Sequence, residues 1–90
     1  MSNLTDVQIR QWIKTGERFE GRSDGNGLTL RYRAVDAMPV WRFRYRFAGR
    51  QRVTDLGSYA VLSLADARRP ARDLRARVAL GYDVADEKQE

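Results

Sequence analysis

Hydrophobic and polar positions alternate most strictly over residues 41–47, which read W-R-F-R-Y-R-F. Trp41, Phe43, Tyr45 and Phe47 share one parity; Arg42, Arg44 and Arg46 share the other. Successive side chains of a β-strand point to opposite faces, so the stretch predicts a strand with one aromatic and one cationic face. The rings have to be covered. The guanidinium groups, about 6.6 Å apart along the strand, each need an anion or water. This central strand is expected over residues 40–48. Residues 28–35 predict a neighbour, with Leu28, Leu30 and Tyr32 on one side and Thr29, Arg31 and Arg33 on the other. A turn at Gly49-Arg50 leads to a third strand over residues 51–56, where the alternation blurs. Either Thr54 and Leu56 point inward and Gln51, Val53 and Asp55 outward, or Arg50 and Arg52 join Thr54 on the outer face. A bulge near Gly49 is compatible with both.

Helical spacing appears twice. Thr5-Asp6-Val7-Gln8 has the form of a capping box, opening a short helix over residues 6–14 that Thr15-Gly16 ends. Ile9, with Trp12 or Ile13, is its packing side. Later, Ser63-Leu64-Ala65-Asp66 predicts an N-cap with an acid in the first turn. The helix expected over residues 64–80 carries Leu64, Ala67, Ala71, Leu74 and Val78 at spacings of three and four, and Gly81 closes it. That stripe is the natural cover for the aromatic face of the sheet. Pro70 removes one hydrogen bond inside this helix and is expected to kink it. Between the first helix and the sheet, residues 18–23 contain Phe19 as their only large apolar group and amount at most to a short edge strand. Asp24-Gly25-Asn26-Gly27 reads as a tight turn, because Gly and Asn tolerate positive φ. It lacks the following helix and Lys-Ser/Thr of a phosphate-cradling loop.

Ninety residues suffice for one domain with a small core. The expected class is α+β: a three-stranded antiparallel sheet packed on a C-terminal helix, with a short N-terminal helix and room for an extra edge strand. The domain is expected over residues 1–83, with residues 84–90 a disordered tail or the start of a linker. No apolar run approaches the ~18 residues of a membrane span, and nothing at the start resembles a secretory signal. The absence of cysteine fits a reducing, cytoplasmic setting. The absence of histidine removes the commonest general base and metal ligand.

Charge sharpens the picture more than composition does. The net charge is +5, and the segment from Gly27 to Thr54 holds seven arginines against one acid, Asp36. Arginine's planar fork suits phosphates and guanine edges.

Taken together, several motifs resemble the N-terminal DNA-binding domain of prophage-type integrases, which are tyrosine recombinases. They are Leu4-Thr5-Asp6, Ser23-Asp24-Gly25-Asn26-Gly27-Leu28, the central W-R-F-R-Y-R-F, Leu56-Gly57-Ser58-Tyr59, Leu62-Ser63-Leu64-Ala65-Asp66-Ala67-Arg68, and Gly81 with Asp83. The resemblance covers residues 4–83. It implies a sheet-on-helix module that holds arm-type sites flanking the recombination core, while later core-binding and catalytic domains of the same chain cut DNA beside other integrase protomers. Ala60, Pro70, Thr54 and Asp55 depart from the family's usual pattern.

The chemistry expected of this stretch is therefore binding, with no catalytic residue, cofactor, metal or membrane contact. A recombinase site needs histidine beside arginine and tyrosine, and Tyr32 and Tyr45 have the parity of core residues. Double-stranded DNA is the expected partner, met in the major groove by Thr29, Arg31, Arg33, Arg42, Arg44, Arg46 and Gln51. A module for RNA or single strands would instead bare its aromatics. A protein-interaction module would offer its basic sheet to an acidic partner.

Overall fold

A computed structural model describes residues 4–84. Helix α1 (Asp6–Thr15) is followed by β1 (Phe19–Gly25), β2 (Leu28–Tyr32), β3 (Val40–Phe47) and β4 (Arg50–Ser58), then by helix α2 (Leu64–Ala79). The strands form one antiparallel sheet in the order β1-β2-β3-β4. The class is α+β as expected, and the sheet has the three expected strands plus an extra edge strand. The extra strand is β1. Its pairing with β2 slips twice, between Phe19 and Arg22 and between Ser23 and Gly25. Each slip breaks the alternation that would have announced a full strand.

The cap signals hold. Thr5 and Gln8 form a reciprocal capping box at α1, and Gly16 ends that helix at φ 75°. The Ser63 hydroxyl accepts from the Asp66 amide at the start of α2, and α2 runs on through Pro70. The β1–β2 and β3–β4 hairpins are two-residue turns with positive φ at each centre: Asn26 and Gly27 at 55° and 86°, Ala48 and Gly49 at 53° and 78°. Such turns match the right-handed twist of the strands they join. The second lies one residue earlier than the sequence suggests, so β4 begins at Arg50.

Trp41, Phe43 and Tyr45 share a face with Leu28, Leu30 and Tyr32, and all six are buried. Leu64, Ala67 and Ala71 of α2 close over them, with Leu74 and Val78 at the margin. The alanines let the helix sit close to the rings. Trp41 is fully buried, and its indole donates to the Leu62 carbonyl at 2.8 Å. Truncating such a ring costs about 3–5 kcal/mol.

The first helix seals the β1 side through Ile9 and through Trp12, edge-on to Phe19 at 5.1 Å. Tyr59 packs beside Trp41 and donates its hydroxyl to Asp6 at 2.9 Å. Burial, and then that acceptor, push the Tyr59 phenol above its ordinary range.

Val84, placed in the tail by sequence, is buried in the same core. Asp83 accepts from both Tyr45 and Arg52. Residues 85–90 of the expected tail lie outside the described residues. Among the described residues no helix is long and apolar enough to cross a membrane.

Candidate nucleic-acid interface

The face of the sheet turned away from the helices is built by pairing register. Thr29, Arg42 and Asp55 stand side by side across β2, β3 and β4; Arg44 faces Val53 and Arg46 faces Gln51. Between Arg42 and Trp41 the β4 partner jumps from Asp55 to Gly57, leaving Leu56 as the extra residue of a bulge. Alternation keeps Asp55 on the outer face and Leu56 against the core cluster, and the bulge brings Gly57 opposite Trp41. The Ala48-Gly49 turn, from which the register runs unbroken to Asp55, sets the parity of β4: Thr54 is buried, and Gln51, Val53 and Asp55 are outward. Arg52 takes the helix-side parity and is engaged by Asp83.

The seven residues expected to meet DNA do not form one uniform patch. Arg44, Arg46 and Gln51 are exposed together at the β3–β4 end of the face. With its amide oriented to satisfy its surroundings, Gln51 accepts from the Arg44 guanidinium. Arg46 has no ion-pair partner among the described residues. Arg42 is half-covered, its Nε held by Asp55 Oδ1 at 2.9 Å.

Two expectations need correction in their geometry. Thr29 is on the outer face but buried, a small side chain between Ser23 and Arg42 on the flanking strands, and its hydroxyl donates to the Arg42 carbonyl at 3.2 Å. Arg31 is only 13% exposed and lies 3.5 Å from Asp36. Arg33, beyond the end of β2, is exposed and shares the same carboxylate at 3.6 Å.

Asp36 therefore organises the β2–β3 connection. It accepts from the Arg33 amide at 2.8 Å. That hydrogen bond, helped by the charges of Arg31 and Arg33 and opposed by desolvation, holds its carboxyl below the ordinary value of 3.8. In the sequence Asp36 stands out as the lone acid of a basic segment, and its two arginine partners do not. Its role and that of Asp55 depend on the β2–β3 turn and on the register set by the Ala48-Gly49 hairpin, which periodicity does not encode.

On the helix side the cations are occupied differently. Arg22 stacks over Trp12 and Phe19 and pairs with Glu17, and Arg18 lies 3.8 Å over the Tyr32 ring. Arg68 forks onto buried Asp24 through Nε at 2.8 Å and Nη2 at 2.9 Å. The Asp24 hydrogen bond raises the Arg68 pKa further.

The sequence profile of the arm DNA-binding domain family matches residues 4–90. The chain belongs to that family. The arm domain is also similar to an integrase of Shigella phage Sf6 and to the prophage integrase IntS of Escherichia coli strain K12, each 35% identical over 86 residues. Those alignments take in 96% of the arm domain but 22% of either relative. A third relative, the putative protein IntB of the same E. coli strain, is 41% identical over 49 residues, 54% of the arm domain and 12% of IntB. The arm domain thus spans about a fifth of the length of the two integrases it matches end to end.

Proposed function

We propose that this arm domain holds double-stranded DNA for a longer site-specific prophage integrase, acting in DNA integration and recombination. The outer face of the β3–β4 ribbon enters the major groove. The observation that carries this reading is the joint exposure of Arg44, Arg46 and Gln51 on one side of a sheet whose rings are sealed on the other. A two-stranded ribbon fits a groove about 12 Å wide, and such side chains reach base edges and phosphates there. The buried state of Trp41, Phe43 and Tyr45 weighs against single-strand or RNA binding by ring stacking, which needs bare aromatics. Cutting and rejoining belong, in this reading, to later domains of the full protein in the cytoplasm, alongside other protomers on the same DNA. The ninety residues contain no histidine and contribute no catalytic group.

The test is a titration of duplex carrying the element's arm site at fixed salt. Arg44→Ala is expected to weaken duplex binding several-fold, because an exposed cation of the DNA-facing strand is lost. Arg75→Ala, on α2, is expected to cost less. Equal losses would refute a privileged contact between the central strand and DNA. Absence of duplex binding, with retention of an acidic protein ligand instead, would replace the reading by a protein-interaction role.

A further inference from the structure

The three outward arginines of β3 are held in three different ways, and the difference points to a division of labour. Arg46 is exposed and has no ion-pair partner among the described residues. Arg44 is exposed and shares its fork with the neutral Gln51 amide. Among the described residues Arg42 is the one of the three held by a carboxylate, directly across the strand pair, and it is 31% exposed. A surface ion pair of this kind adds little to stability, and Asp55 is 58% exposed. On a face apposed to DNA the carboxylate would also repel phosphate. Folding stability and phosphate attraction therefore leave the pair unexplained.

Resting on the DNA-binding reading above, we infer that Asp55 is a positioning residue that aims Arg42 at a guanine, making this pair the principal base-specificity element of the sheet. The contact atom supports this. Asp55 engages Nε at 2.9 Å, the inner nitrogen of the guanidinium, and so fixes the plane of the fork. The terminal Nη1 and Nη2 edge then has the geometry for bidentate donation to guanine O6 and N7. The pair carries no net charge, so a phosphate gains little from it. A neutral base edge with two acceptors gains two directed hydrogen bonds from a side chain whose rotamer freedom is already restricted. Thr29, donating to the Arg42 carbonyl from the other flanking strand, pins the backbone from which the fork projects. Arg44 and Arg46, lacking a carboxylate partner of this kind, supply the charge that binds any duplex.

The experiment selects preferred sites for the ninety-residue chain from a pool of randomised duplexes. It then measures affinity for every single-base-pair change, with a melting curve for each protein as a folding control. Wild type is expected to show one position where guanine is favoured about tenfold or more. Arg42→Ala is expected to erase that preference alone. Asp55→Ala and the near-isosteric Asp55→Asn are expected to reduce it to about threefold or less, while affinity for unrelated duplex stays level or rises because a negative charge has gone. The inference is overturned if both Asp55 variants keep the wild-type base profile, if they weaken all sequences equally, or if Arg44→Ala rather than Arg42→Ala removes the guanine preference. Failure of the DNA reading itself looks different: wild type then shows no duplex binding sensitive to Arg44 and Arg46.

Discussion

At the scale of single residues, the fold depends on one side chain that the basic character of the chain conceals. Asp24 is 6% exposed, accepts from the Leu4 amide at 2.9 Å and takes the Arg68 fork. It thereby ties three parts together: the approach to α1, the β1–β2 hairpin and the first turns of α2. Arg68 in turn donates to the Leu4 carbonyl at 3.3 Å. Asp24→Asn keeps the shape but loses the charge, and leaves an amide donor facing donors. It is expected to cost about 2 kcal/mol, at the modest end for buried pairs because Arg68 is 39% exposed. Urea unfolding monitored by Trp fluorescence checks this, and a loss below about 0.5 kcal/mol would show that the tie is dispensable. Asp24 was legible in sequence as a turn residue and not as an ion-pair partner. Its companion is 44 positions away, and only the inward turn of the second β1 irregularity points it at α2.

Among the elements, the two tight hairpins are built alike and filled differently. Asn26-Gly27 has the residues such a turn favours. Ala48-Gly49 puts alanine at φ 53°, where a Cβ crowds the following carbonyl. Ala48→Gly or Ala48→Asn is therefore expected to stabilise the domain by about 0.5–1 kcal/mol. The reverse change at the other hairpin goes the opposite way. Gly27 sits at φ 86°, and a Cβ there would lie 2.9 Å from Phe43 Cε1 and against the Arg44 carbonyl. Gly27→Ala is expected to lower stability by about 2 kcal/mol or more. Thermal melts of the three variants decide both claims, and a destabilised Ala48→Gly would sink the strain argument. The contrast shows why strands were easier to place than their joints. A strand announces itself by period, whereas a turn announces itself by residue type, and alanine is silent. The helices were read almost to the residue because caps and stripes both lie within one element.

Across the whole molecule, the decisive feature is how charge is distributed between two faces. On the helix side Arg18, Arg22, Arg52 and Arg68 are spent on rings and carboxylates. On the sheet side Asp36 and Asp55 each hold arginine, which leaves Arg44 and Arg46 as the most open cations of the central strand. In the proposed binding mode, with flanking contacts from exposed α2 arginines such as Arg72 and Arg75, about five to six phosphates are contacted. The logarithm of the binding constant is then expected to fall with the logarithm of salt concentration at a slope of about −5. Arg46→Ala should make that slope shallower by about one. A wild-type slope near −1 would mean that the face does not meet a phosphate backbone in this way.

Sequence alone determined what nearest neighbours in the chain can enforce. Alternation of rings and arginines made β3, capping residues set both helix starts, and a stripe of small and apolar side chains made α2 the lid. Tertiary structure decided which arginines remain available. That depended on the two one-residue slips of β1, on the Ala48-Gly49 turn that sets the β3–β4 register, and on the Asp36 turn. Because a one-residue shift in a strand exchanges the faces of the sheet, only the folded pairing could assign Asp55 to Arg42 and Asp24 to Arg68.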